Sequence, residues 1–329
     1  MNRMFSLRKL LAVGGILLSG IGLGWAAETN LSHEFVVSIT IDNDLFVYPK
    51  TDKHYTQGLH IGVLWPDEEA PWPMRPLAWV PDFGMANAVH KYGLRVGQDM
   101  YTPIDMTLDI PDPADRPYAG WLFLGFIRDD RGTVANGIPA RDHLEVELGA
   151  VGPASLVSDT QIWWHKLIGS EKPLGWAYEI RNEPGFLISF DRQLKLLDTG
   201  TSDFFQVQLL PHAGLNLGNI QTSLRLGPQL RIGHKIPDEF APVPTPVHGW
   251  YLFSAVDGRV VGYNEFLDGN AFQSSRSVAK EPVVMEARAG LVVVLGHTQI
   301  SYTYNYISKE FKTQDKYDAY GSVNLTQAF

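Results

Sequence analysis

The sequence has no cysteine. It can build no disulfide framework and offers no thiolate to a metal or a substrate. Positive charge is also scarce. The 27 Lys and Arg are outnumbered by 36 Asp and Glu, for a formal net charge of −9, which argues against a nucleic-acid footprint. Long apolar runs are missing too. The run Leu10 to Leu23 covers about 14 residues, short of the ~20 that a membrane-crossing helix needs. Arg3, Arg8 and Lys9 precede it and Gly24-Trp25-Ala26 follows. Residues 1–26 therefore read as a secretory signal peptide cut after Ala26. Polar or charged residues interrupt every later apolar run. The exported part, 27–329, is then either periplasmic or a single outer-membrane β-barrel.

What is present is alternation with a period of two. Thr222, Leu224, Leu226, Leu230 and Ile232 share one face, and Ser223, Arg225, Gln229 and Arg231 share the other. Ile300, Tyr302, Tyr304 and Tyr306 oppose Gln299, Ser301, Thr303 and Asn305. Leu144, Val146 and Leu148 oppose His143, Glu145 and Glu147. Charge on one face and Leu or Tyr on the other suit a polar lumen inside a lipid-facing wall. A water-exposed antiparallel sandwich also alternates. The tyrosine-rich face and the chain's end favour the barrel. Val323, Leu325 and Phe329 share a parity, and a terminal aromatic resembles the signal read by the barrel-insertion machinery.

Strands are expected over 34–42, 55–65, 92–100, 119–129, 143–151, 178–192, 203–211, 221–233, 250–260, 284–296, 298–308 and 318–329. The expected fold class is thus all-β, a 12-stranded antiparallel transmembrane barrel, with the even count that returns both termini to one side. Gly218-Asn219 and Gly296-His297 read as tight turns. Segments 66–91, 101–118, 152–177, 234–249 and 261–283 read as long loops that form the extracellular rim.

Four clusters could carry chemistry. Ile41-Asp42-Asn43-Asp44 ends a strand with oxygen donors that could ligate a hard cation, or simply make a turn. Thr51-Asp52-Lys53-His54-Tyr55-Thr56-Gln57-Gly58 leads into a strand on which Thr56 and His60 share the lumenal parity. Gly97 to Pro103 and Asp115-Arg116-Pro117-Tyr118-Ala119-Gly120-Trp121 suggest a rigid, ion-paired corner. Gly152-Pro153-Ala154-Ser155 precedes the one helical-looking stretch, Gln161 to Glu171. There Gln161 and His165 stack one turn apart, so the amide could fix the imidazole tautomer. Trp163, Trp164 and Leu167 suit an acyl-chain or membrane-interface contact.

In order, Asn-Asp, Thr-Asp-x-x-Tyr-Thr-x-Gly, Tyr-Thr-Pro, Asp-Arg-Pro-Tyr-Ala-Gly, Gly-Pro-Ala-Ser, Gln-x-x-x-His-x-x-x-Gly and Gly-Trp resemble the outer-membrane lipid A deacylases. These are calcium-dependent 3′-O-deacylases of lipopolysaccharide. The resemblance covers nearly all of the mature chain and is densest from about 40 to 185. It implies a twelve-stranded barrel in outer-membrane lipid, acting as a monomer on lipid A from a site near the outer rim. It implies His165 as general base, Gln161 as its orienting partner, Asn43 as oxyanion donor, Thr56 as a catalytic-region hydroxyl and Asp44 as a calcium ligand. Glu171 and Trp164 fall where substrate contacts are expected. The basic residues that the family places after Tyr-x-Pro are missing. Residues 102–115 read TPIDMTLDIPDPAD, with acids and no Lys or Arg.

Two other readings stand beside this one. Ser155 with His165 would make a serine esterase of the outer-membrane phospholipase kind. Arg225 and Arg231 could line a non-enzymatic pore. One feature conflicts with strict alternation: Asn43 shares the lipid-facing parity of Ile39 and Ile41, whereas Asp44 falls on the lumenal side. A bulge or a strand end near 42 would relieve the conflict.

Overall fold

Period-two patterning produces strands along nearly the whole exported chain. A computed structural model describes residues 35–47, 53–200, 205–241 and 246–329. The leader expected over 1–26 lies outside the described residues, as do Thr51 and Asp52. The strands are β1 (Val36–Asn43), β2 (His54–Pro66), β3 (Ala86–Thr102), β4 (Ala119–Thr133), β5 (Pro139–Val151), β6 (Glu183–Leu194), β7 (Leu197–Asp198), β8 (Gln206–Gly218), β9 (Gln221–His234), β10 (Val247–Asn264), β11 (Val283–Gly296), β12 (Thr298–Ile307) and β13 (Asp318–Ala328). β7 is a two-residue appendage on β8. The other twelve form the wall, each antiparallel to its neighbours, and pairing of β6 with β8 closes it. The seam between the first and last strands sets Ile41 opposite Val323 and Asn43 opposite Gly321. There Phe329 donates its N–H to the Phe35 carbonyl at 2.9 Å, and the two rings lie 6.1 Å apart.

The outward face is apolar and the lumen is charged. Ile61, Val96, Leu124, Leu148, Leu226, Leu252 and Ile300 are exposed on the outside. Inside, Arg95 meets Glu145 at 2.6 Å, Arg225 meets Asp191 at 3.0 Å, Arg259 meets Glu286 at 2.9 Å and Arg288 meets Asp257 at 2.8 Å. These bridges leave a cavity of about 350 Å³ between Arg95, Asp191, Arg225 and Glu286. β4, apolar on both faces in sequence, buries Trp121 and Phe123 in a lumenal core with Val151, Leu187 and Phe266.

Two of the expected rim loops lie at the other end. The β2–β3 and β9–β10 connections join strands at the end where β1 begins and β13 ends, because strands alternate in direction. The β2–β3 connection folds against the outside of the wall. The β9–β10 connection turns inward: Ile236 packs with Tyr251, Val292 and Val294, and Glu239 accepts from Arg231 at 3.0 Å. Both arginines of the pore reading are therefore paired. At the opposite end lie the 44–53, 103–118, 152–182, 265–282 and 308–317 connections, with the tight turn at Asn219–Ile220 among them.

Candidate active site

Regular pairing sets one row of residues across the outer face. Asn43 of β1 lies opposite Gln57 of β2, Gln57 opposite Met100 of β3, and Met100 opposite Gly120 of β4. At ~4.8 Å per strand the row runs about 14 Å across the wall. Met100 and Gly120 share outward parity with the exposed Val96 and Leu124, and Asn43 shares it with Ile41. Pairing is regular through Asn43, so no bulge relieves the conflict with strict alternation, and Asn43 keeps its lipid-facing parity. The strand ends at Asn43 and a 3₁₀ turn, Asp44–Phe46, begins there, so strict alternation no longer decides the side that Asp44 faces. Asn43 caps that turn, its Oδ1 accepting the Leu45 N–H at 2.8 Å. The turn leans over the outer face, where the Phe46 carbonyl accepts from the Tyr302 hydroxyl at 3.3 Å. Asp44 is buried, and its Oδ2 accepts the Lys53 N–H at 2.7 Å.

Thr56 does not share the lumenal face of His60, as strict alternation predicts. The β2–β3 register shifts between Tyr55 and Gln57, so Thr56 is the extra residue of a bulge. Tyr55 points inward, its hydroxyl on Asp42 at 2.9 Å and Asp99 at 3.0 Å. Thr56 then joins Gln57 on the outside, its hydroxyl 2.7 Å from that of Thr102. His60 stays inside, on Asp99 at 2.9 Å.

Helix α1 (Val157–Ile168) covers the Gly120 end of this row. A Cβ on Gly120 would lie 2.1 Å from Ser155 Oγ and 2.7 Å from Val157, so only glycine lets the helix seat on the wall. Val157, Met100, Tyr118 and Trp176 form the buried contact. Gly169, in the left-handed conformation, ends the helix, and Ser170 donates back to the His165 carbonyl at 2.9 Å.

His165 is buried in the last turn of α1, and its Nδ1 lies 2.5 Å from the Glu171 carbonyl. That contact requires a proton on Nδ1 and makes Nε2 the basic nitrogen. Gln161 has a different role from the one its spacing suggested. Its Oε1 accepts from Trp176 at 2.7 Å, and its Nε2 lies 3.2 Å from Met106 sulfur. It fixes the helix to the loops, while the Glu171 main chain fixes the imidazole. The Glu171 side chain is exposed. Trp163 and Leu167 are exposed on α1, Trp164 is half-buried, and Ile104 and Ile110 are exposed on the 103–118 loop. Ser155 is buried under Gly120, and roughly 12 Å of helix lies between its neighbour Val157 and His165.

The sequence profile of the family described as Outer membrane protein LpxR matches residues 11–329. This chain belongs to the LpxR family. Among solved structures, LpxR from Salmonella typhimurium matches with a TM-score of 0.70 at 20% identity, over 89% of this chain and 100% of that one. The autotransporter translocator domain of NalP from Neisseria meningitidis gives 0.39 at 12% identity, over 98% and 94%. The Bordetella BrkA β-domain gives 0.42 at 11% identity, over 91% and 99%. No curated protein sequence matches. As an LpxR-family barrel the chain resides in the outer membrane, the start of β1 and the end of β13 on the periplasmic side and α1 at the outer rim.

The structure adds residues to those chosen from sequence. Thr102 and Trp176 sit in the Tyr-Thr-Pro and Gly-Trp motifs, and their partners Thr56 and Gln161 show why. The Asp-Arg-Pro corner is structural: Arg116 is fully buried, 3.3 Å from Glu310 and 4.6 Å from the Tyr101 ring centre. Burial works against the Asp115 carboxylate. Bonds from His54 and from the Ile104 and Arg116 N–H groups outweigh it and hold Asp115 below its usual range. At the same rim Glu265, in the short helix α2 (Glu265–Asp268), is fully buried. Burial, and then the adjacent Glu183 carboxylate, push it up to about 9.

Proposed function

We propose that this LpxR-family barrel is a lipid A deacylase that removes an ester-linked 3′-acyloxyacyl group in the plane of the outer membrane. One observation carries the reading: a buried histidine with a fixed tautomer stands on a helix packed against the lipid-facing wall, whose same face carries Asn43 and Thr56. A soluble hydrolase has no reason to place its base there.

His165 Nε2 takes a proton from water as the water oxygen bonds to the ester carbonyl carbon. The bond from that carbon to the sugar oxygen then breaks, and the imidazolium returns the proton to the leaving oxygen. The Glu171 carbonyl stabilises the imidazolium through Nδ1. With Oδ1 engaged by Leu45, Asn43 presents Nδ2 to the developing oxyanion, an interaction worth about 3 kcal/mol at comparable sites. The Thr56 hydroxyl, steadied by Thr102, positions the water. Trp163, Trp164 and Leu167 give the acyl chains an apolar bed. The Asp44 carboxylate and the oxygens of the 44–46 turn form a hard donor set that fits calcium. Calcium held there would supply Lewis-acid polarisation of the ester carbonyl. The acidic 102–115 loop lacks the family's basic residues, so headgroup recognition differs in detail.

The test is mass spectrometry of lipid A from a host expressing the wild type or His165→Ala. The wild type should yield lipid A lacking the 3′-acyloxyacyl group, and a folded, heat-modifiable His165→Ala barrel should not. Normal trimming by that variant would refute the base assignment. Excess EGTA should abolish wild-type activity, and unchanged activity would remove calcium from the mechanism.

A further inference from the structure

The β2–β3 connection contains a 3₁₀ helix, Trp72–Trp79, that lies on the outside of the wall at its periplasmic end. Three residues per turn place Pro71, Met74, Leu77 and Val80 on one face. Met74 and Leu77 are buried there against Tyr92, Leu94, Phe126, Leu144 and Val146, all outward-facing residues of β3, β4 and β5. The other faces carry Trp72 and Trp79, which are 77% and 86% exposed. They stand seven residues apart, about 14 Å along the helix, with the exposed Arg75 between them.

The wall beneath this strap is unusual. Its lipid-facing parity carries charge: Arg128 and Asp130 on β4, Asp142 on β5 and Arg192 on β6. The strap neutralises and covers them. Arg128 donates to the Leu77 carbonyl at 3.0 Å, to the Val80 carbonyl, to Asp82 and, at 2.9 Å, to Asp130. Arg192 binds Asp142 at 2.5 Å and the Phe83 carbonyl at 3.0 Å. Asp82, His90 and Asp130 are close enough to hold a metal ion. The Arg128 guanidinium, bonded to both acids, fills that role as an internal cation.

The belt of exposed Val96, Leu124 and Leu148 forms one paired row directly above the strap. Val96 is four residues, about 13 Å, from the covered Tyr92. Whatever solvates that belt also meets the outer faces of the strap. We propose that residues 71–80 are an in-plane membrane anchor, with Trp72 and Trp79 seated among phospholipid headgroups of the periplasmic leaflet and Arg75 facing their phosphates. Indole rings fit that boundary because their bodies are apolar and their N–H groups polar.

The experiment places a photoreactive benzoylphenylalanine at position 72 or 79 of the full chain in cell outer membranes, with heat-modifiability as the folding control. Position 135, on the exposed tip of a periplasmic turn, is the water-facing reference. Irradiation should give phospholipid-mass adducts at 72 and 79 and none at 135. Adducts to a second copy or to another protein would overturn the proposal. So would the absence of lipid adducts at 72 and 79 in folded barrels.

Discussion

Replacing Glu265 with Gln should make the extracellular rim more stable at neutral pH and remove its pH dependence. Glu265 and Glu183 face each other at the junction of the 152–182 and 265–282 loops. Glu183 accepts the N–H groups of Ala271 at 2.8 Å and Phe272 at 3.2 Å, and Asn270 donates to Glu265 at 3.2 Å. Glu265 therefore keeps a proton in the folded rim up to about pH 9, whereas it releases it near 4.5 when the loops open. The folded state binds the extra proton, so this contribution to stability is full below 4.5 and falls as pH rises toward 9. The slope is about 1.4 kcal/mol per pH unit, which makes the deficit at pH 7.5 at most about 4 kcal/mol. A neutral amide donates to Glu183 without that deficit. Amide hydrogen exchange at Ala271 and Phe272, corrected for intrinsic rates, reads the local opening directly. Wild-type opening should rise up to about tenfold per pH unit between 5 and 9, and Glu265→Gln opening should stay flat. Equal slopes in the two proteins would refute the shared-proton account.

Trp176→Phe leaves the Gln161 carbonyl buried without its donor, a loss of about 1–3 kcal/mol; lipid A mass spectrometry should show deacylation falling while the barrel still assembles. Thr56→Val keeps the shape of the bulge but removes the bond to Thr102, so kcat should fall with little change in KM, and surface expression should be normal. Arg128→Leu leaves Asp130 with His90 alone and two strap carbonyls without a donor, at a cost of about 3–5 kcal/mol, and limited proteolysis should then cut within 67–85, where the wild type resists.

Eleven of the twelve wall strands were legible through the alternation that a polar lumen and a lipid-facing wall impose, and β4, apolar on both faces, through its length and its place between two loops. The errors came from residues that do not obey a regular pleat. β3 begins at Ala86, ahead of the expected 92, because its first turns pair beneath the strap. β6 begins at Glu183, after the expected 178, because Gly175–Tyr178 forms a 3₁₀ turn that buries Trp176 under α1. A binary pattern cannot reveal the extra residue at Thr56, which moves that side chain through the wall. Nor can residue type show that a main-chain carbonyl, rather than the Gln161 amide, orients His165. The connections at 66–91 and 234–249 misled for a related reason: length and proline content say nothing about which end a connection joins. Counting strands from the first terminus does.

On the proposed mechanism, the bulge at Thr56 and the helix seated on Gly120 put the reacting groups on the side of the wall that lipid touches. A substrate already dissolved in the bilayer then reaches them by lateral diffusion, without being lifted into water. The concentration that governs turnover is molecules per unit of membrane area. In mixed micelles the enzyme should accordingly obey surface dilution: adding inert detergent at fixed bulk substrate slows the reaction, and adding more micelles of constant composition does not.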